Sequence, residues 1–228
     1  MDKVFAYAAT RNYYEQTYIC LTSLLRTNNP DRVYLLIEDD EYPFKVPNNV
    51  IIKNISNQPY FNPEGPNFKS HWSYMAMLRC AFGKIFPDEH RILWLDSDTI
   101  ILRDITELFV MPLNGITYAG VEEPKKSLGI FHYINSGVLL CNLDVIRNTG
   151  IEDRLISELN RQKYHFPDQD VINLFNQGRI QVLSSHYGLS ICSEPCDNPK
   201  ILHFCGEKKY QSHWAWVRFE QMAFPERY

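Results

Sequence analysis

Two carboxylates separated by one small residue, Asp96-Ser97-Asp98, stand at the end of an apolar stretch, Arg91-Ile92-Leu93-Trp94-Leu95. A second apolar stretch, Ile100-Ile101-Leu102, follows at once. Like charges at the end of a core strand repel one another and lose hydration, so they call for a counter-charge. A divalent cation supplies it. Mg²⁺ and Mn²⁺ both take carboxylate oxygens and can bridge phosphates. Open α/β sheets gather ligands at the carboxyl ends of their strands, which is where this pair falls. The plainer reading of the same residues is a surface turn, with Asp98 capping the next element.

The elements that must position these carboxylates alternate along the chain. Residues 3–9 form an apolar run that reads as a buried strand and feeds the polar turn Thr10-Arg11-Asn12. From 14 to 25 the apolar positions recur at helical spacing (Tyr14, Tyr18, Leu21, Leu24, Leu25), until Asn28-Asn29-Pro30 stops them. Residues 32–38 and 50–55 predict two more strands. Residues 57–69 hold three prolines, a glycine and no periodicity, and read as a loop over one edge of the site. Residues 71–86 predict a helix ended by Pro87-Asp88. Residues 91–95 are apolar enough to be buried on both faces. Strands are expected at 100–102, 116–121, 134–140, 180–183 and 200–203, with a polar segment over 122–131. Helices are expected at 152–162 and 168–176, with a closing amphipathic helix at about 212–224. This order predicts an α/β protein, one domain over 1–228 built on a parallel sheet.

Other residues with chemical potential follow the same order. Near the start is Phe5-Ala6-Tyr7-Ala8-Ala9-Thr10-Arg11-Asn12-Tyr13-Tyr14, where hydroxyl and amide groups at a strand end can read a base edge and an aromatic ring can stack on its face. Arg79 lies seventeen positions before Asp96, and a guanidinium grips a phosphate or sugar hydroxyl in a forked geometry. His71 is a second candidate for that cleft; a solvated helix face is the alternative for both. Asn135-Ser136-Gly137-Val138 combines an amide with a glycine that lets backbone approach a ligand. Asp168-Gln169 opens a helix that Asp168 could simply cap. His203-Phe204-Cys205-Gly206 leads to Lys208-Lys209; an isolated histidine on an apolar strand is more often core.

With these residues in place, the chain resembles glycosyltransferase family 8 from Val4 to about Tyr210. The resemblance implies a GT-A fold, that is, a single Rossmann-like domain with a mixed, mostly parallel central sheet flanked by helices, together with a UDP-sugar donor, Mn²⁺ and retention of anomeric configuration. It places Ala8, Thr10, Asn12, Tyr13 or Tyr14, Arg79, Ser97, Asn135, Ser136, Asp168, Gln169, Gly206 and Lys209 around the donor. It makes Asp96, Asp98 and His203 the metal ligands, and its catalytic group comprises Gln169, Asp168, Arg79 and Lys209. The His203 nitrogen tilts the ion towards Mn²⁺, with Mg²⁺ the alternative. An amide is a poor nucleophile and no base, so Gln169 is expected to position the sugar or stabilise an oxocarbenium ion. Members often carry an Asp near Arg11 and usually continue with Pro-Trp after Lys209; this chain has Tyr210-Gln211.

Two rival functions use the same residues. Asp96-Ser97-Asp98-Thr99 resembles the nucleophile motif of haloacid-dehalogenase-type phosphatases, with Asp96 attacking phosphorus. That motif is expected near the start of a domain, whereas here ninety-five residues precede it. The other rival is a catalytically silent nucleotide-sugar-binding module. Composition narrows the partners. A net charge of −4 without a long basic run argues against nucleic acid. No run approaches the length of a membrane span and no signal peptide is read, so a cytoplasmic setting with reduced cysteines is expected, Cys192 and Cys196 in a polar loop included. The acceptor is expected to be a glycan or glycoconjugate, with residues 122–133, Trp214 and Trp216 as candidate lining. The sequence leaves an oligomer open.

Overall fold

The computed structural model describes residues 1–70, 72–123, 129–130, 132–190, 196–205 and 210–228. The chain opens with β1 (Val4–Ala9), α1 (Tyr14–Thr27), β2 (Arg32–Ile37) and β3 (Val50–Asn54). Next come two short helices, α2 (Ser73–Met77) and α3 (Phe82–Ile85), then β4 (Arg91–Leu95), β5 (Thr99–Ile101), β6 (Tyr118–Glu122) and β7 (Ile134–Asn142). The second half adds α4 (Leu143–Thr149), α5 (Ile151–Arg161), α6 (Pro167–Phe175), β8 (Ile180–Leu183), β9 (Leu189–Ser190), β10 (Ile201–His203) and α7 (Trp214–Ala223).

Among the described residues, seven strands make one sheet in the order β3-β2-β1-β4-β7-β6-β8. Its pairs are parallel except β4–β7 and β7–β6, so the expected mixed, mostly parallel sheet is present. The order runs outwards from β1 to β3, then restarts at β4 on the other side of β1. Their carboxyl ends therefore flank a topological switch point, the usual crevice for a ligand. A smaller sheet, β5-β10-β9, lies beyond β4.

Strand periodicity explains both cores. Side chains alternate across a strand: Phe5, Tyr7, Leu93 and Leu95 enter one apolar layer with α1 and α7, while Val4, Ala6, Ile92 and Trp94 enter the other with α2 to α6. Asp96, next in the Ile92–Trp94 series, continues on the second face.

The single helix expected over 71–86 is broken. Leu78–Ala81 is a 3₁₀ turn between α2 and α3, and Ser73 enters α2 with φ +64°. The Arg79 side chain donates from Nε to the Ala76 carbonyl (2.8 Å), an acceptor that an uninterrupted helix would give to a backbone N–H. Helix α4 was not foreseen; the Asn142 side chain caps it, and Gly150, in the left-handed conformation, divides it from α5. No helix among the described residues is long and apolar enough to cross a membrane.

Candidate metal and donor site

The turn after β4 is held across the switch point. The Ser97 hydroxyl donates to the Ala8 carbonyl (3.2 Å) and lies 2.9 Å from the Thr17 hydroxyl, while the Thr99 hydroxyl donates back to the Asp96 carbonyl (2.8 Å). On the other side the β4–β7 ladder extends by one bond, Asp96 N–H to the Gly137 carbonyl (2.8 Å). The small sheet then returns His203: it pairs with Thr99 in the β10–β5 register, and Phe204 N–H donates to the Asp98 carbonyl (3.0 Å).

These constraints bring one ligand atom each from Asp96, Asp98 and His203 within 4.8 Å of one another. His203 Nε2 lies 3.2 Å from Asp98 Oδ1 and 3.8 Å from Asp96 Oδ2. Burial pulls the His203 pKa down, yet the Asp98 and Asp96 carboxylates outweigh it and raise the pKa above the ordinary imidazole value. The pocket thus draws positive charge to itself. Asp98 Oδ1 is inaccessible to solvent and accepts no hydrogen bond of ordinary geometry. Gly137 forms the wall: a Cβ there would sit 2.1 Å from His203 Cε1 and 2.8 Å from Asp96 Oδ2. Two carboxylates and one imidazole, with Asp98 Oδ1 buried among them, fit a divalent ion.

Behind the carboxylates lies Arg79, which sits on no solvated helix face. It is 2 % exposed, and its Nη2 donates to Asp96 Oδ1 (2.8 Å). Its Nε lies 3.2 Å from Asp168 Oδ2, and Nη1 donates to the Ser136 carbonyl. The guanidinium rests over the Trp94 ring at 4.2 Å, and the Trp94 indole N–H donates to Asp96 Oδ1 (2.7 Å). Burial opposes the charge on Arg79, but Asp168 and Asp96 hold its pKa above the usual value. Burial is also the largest influence on Asp168 and raises its pKa against the pull of Arg79.

Helix α6 is stitched to β7 by matching periods, four residues on the helix against two on the strand. Asn173 pairs with both backbone groups of Ile134 (2.7 and 2.8 Å). Gln169 Oε1 accepts from Ser136 N–H (3.0 Å), and Asp168 Oδ2 accepts from the Ser136 hydroxyl (2.8 Å). Asp168 therefore does more than open a helix. Asn135 donates to Glu123 (2.8 Å) and accepts from Gly137 N–H (2.8 Å), which fixes the start of β7 beside the register shift in its pairing with β6.

The first motif lies at the end of β1. Thr10 makes no side-chain cap bond, and Asn12 is exposed. Of the two tyrosines, Tyr13 is 55 % exposed and Tyr14 is buried edge-on to Tyr42, its hydroxyl donating to Asp39 (2.8 Å). Arg11 also pairs with Asp39. Trp216 is core, packed against Phe204, which removes it from the acceptor candidates; Trp214 is exposed. Gly206, Lys209, His71 and Cys192 lie outside the described residues, as does much of 122–131. Sequence reasoning missed Trp94, treated as one more apolar strand residue; its signal was the two-residue spacing to Asp96.

The sheet order and its switch-point crevice define a GT-A fold. The galactosyltransferase LgtC, solved with donor and acceptor sugar analogs, superposes with a TM-score of 0.71 at 18 % identity over 97 % of this chain and 95 % of that one. The chain matches Glycosyl transferase family 8 over residues 4–215 and belongs to that family. A probable glycosyl transferase, Gly, from Streptococcus gordonii is 28 % identical over 171 residues, 70 % of this chain and 24 % of that protein. The lipopolysaccharide 1,2-glucosyltransferase of Escherichia coli is 28 % identical over 172 residues, 63 % of this chain and 51 % of the relative. The chain thus spans about a quarter to a half of the length of these two relatives. Family membership does not favour the phosphatase alternative.

Proposed function

We propose that the chain transfers a hexose from a UDP-sugar, UDP-glucose or UDP-galactose, to a hydroxyl of a glycan or glycoconjugate, retaining anomeric configuration. In this reading Asp96, Asp98 and His203 hold Mn²⁺, and residues 1–228 act as one catalytic domain. The observation that carries it is the meeting of the Asp–Asp–His set with Asp168-Gln169 around Ser136 and Gly137 of β7. The imidazole nitrogen favours Mn²⁺ over Mg²⁺. When bound, the ion supplies Lewis-acid neutralisation of the diphosphate charge.

The chain's own residues do the rest. Tyr13 offers its exposed face to the base, with Ala8, Thr10 and Asn12 along the base edge. Asp168 accepts from sugar hydroxyls. Because Gln169 Oε1 holds Ser136 N–H, the free end of the amide is its NH₂, which has no partner among the described residues. Gln169 is thus a donor that orients the sugar, not a nucleophile. Arg79 reaches the reaction through Asp96 and Asp168, and Lys209, with Gly206 for close approach, adds charge at the leaving phosphate. Asp168 is tied to Arg79 and Ser136 and is no free base. In the retaining reading the bond from the anomeric carbon to the acceptor oxygen forms on the face where the bond to phosphate breaks, and with no free carboxylate base the acceptor proton passes to the departing phosphate oxygen.

The test is UDP release across UDP-sugars, with and without Mn²⁺. Asp98→Ala should abolish the Mn²⁺-dependent turnover while the protein stays folded. Undiminished activity in that variant overturns the metal site, and phosphatase activity without UDP binding restores the rival reading.

A further inference from the structure

Asp96 is the most constrained carboxylate of the metal set, and the constraint falls on one oxygen. Oδ1 accepts from the Trp94 indole N–H at 2.7 Å and from Arg79 Nη2 at 2.8 Å. Oδ2 faces His203 Nε2 at 3.8 Å and the open side of Gly137. We infer that Trp94 is a positioning residue that makes Asp96 a one-oxygen ligand, holding Oδ1 against the protein and presenting Oδ2 alone to the ion.

The inference rests on the metal-site reading above and concerns what prepares that site. A carboxylate has about four lone-pair positions and binds cations through one oxygen or through both. Two donors on Oδ1 remove the two-oxygen mode and stop rotation about the last side-chain bond. Arg79 alone would not fix this, because a guanidinium has several N–H groups and can change which one it offers. Trp94 has a single N–H on a rigid ring. It is buried in the sheet and shares a strand face with Asp96, two residues on. The same ring lies 4.2 Å beneath the guanidinium, so one side chain sets the position of both donors. Phenylalanine would keep the apolar face and lose the N–H. Partners behind a metal ligand typically affect affinity by about 10–100-fold when removed.

The experiment measures binding of Mn²⁺ alone to the nucleotide-free protein, by titration calorimetry or by the loss of the free-ion resonance signal. Trp94→Phe should weaken Mn²⁺ binding by about 10–100-fold. Phe82→Leu is the packing control: Phe82 touches Trp94 on the same face, ring centroids 5.5 Å apart, and its truncation should lower the melting temperature without changing Mn²⁺ affinity. If Trp94→Phe does not fold, benzothienylalanine at position 94 replaces the indole N–H by sulfur in the same shape and carries the same expectation. Folded position-94 variants that bind Mn²⁺ as the wild type does overturn the inference, as does an equal loss in Phe82→Leu. Asp98→Ala separates this from the parent reading. Lost binding there with normal binding in Trp94→Phe defeats only the role of Trp94, whereas normal binding in Asp98→Ala defeats the metal site itself.

Discussion

Gly137→Ala adds one methyl group where the site has no room for it. The new Cβ would lie 2.1 Å from His203 Cε1, 2.5 Å from Nε2 and 2.8 Å from Asp96 Oδ2. Ordinary contact begins near 3.4 Å, so the imidazole must retreat by about 1.3 Å or the strand must give way. Neither is loose. Gly137 is pinned by Asp96 N–H on its carbonyl and by Asn135 on its amide, and His203 is buried on a strand paired with Thr99. Overpacking of this kind costs about 1–3 kcal/mol, offset by the roughly 0.5–1 kcal/mol that alanine regains over glycine in a regular element. A chain of this size then melts a few degrees lower, at about 2–4 °C per kcal/mol. The functional loss should be larger, because a displacement of about 1 Å in a reacting group can lower rates by about 10²-fold. Melting in EDTA isolates the packing cost, while Mn²⁺ titration of the same protein reads the ligand geometry. A folded Gly137→Ala that binds Mn²⁺ with wild-type affinity would show that His203 is not a ligand.

Tyr13→Ala removes the exposed ring at the end of β1 and should weaken UDP binding by about 10-fold or more, since stacking on a base contributes roughly 1–3 kcal/mol; unchanged UDP affinity by calorimetry assigns the base elsewhere. Gln169→Ala should lower kcat by about 10²-fold with little change in donor KM, as loss of an orienting donor does, and a pure KM effect in steady-state kinetics would contradict that role. Glu89→Gln tests a structural pair far from the chemistry. Burial works against the Glu89 carboxylate, but Arg32 and the Tyr34 hydroxyl outweigh it and hold its pKa below the usual value. A depressed carboxyl pKa gives stability that is present above the unfolded value, near 4.5, and lost as pH falls through the folded one. The wild type should therefore be more stable than Glu89→Gln at pH 7, by about 1 kcal/mol because Arg32 is a third exposed, and the gap should narrow as pH falls below the unfolded value near 4.5; a gap that is constant with pH contradicts the linkage.

How much of this was legible in the sequence follows from the range of the forces involved. The strands at β1 and β4 were legible because burial on both faces writes an unbroken apolar run, and the carboxylates were legible because that run ends on them. Helix α1 announced itself by spacing and by Asn28-Asn29-Pro30. The break over Leu78–Ala81 did not, because its cause is Arg79 turning inwards to carboxylates seventeen and eighty-nine positions later; local periodicity records only an apolar helix with one cation on it. The short strands β5, β9 and β10 carry too few residues to declare a separate sheet, yet it is their register that sets His203 against Asp98. Trp94 marks the boundary between the two kinds of information. Its place in the core is written in the apolar pattern and its position relative to Asp96 in the two-residue strand repeat, so the hydrogen bond was within reach of the sequence. What the sequence lacks is the guanidinium above the ring, which arrives from another element and turns a core residue into part of the site. The chemistry of this fold is thus most hidden where one side chain serves packing and polarity together.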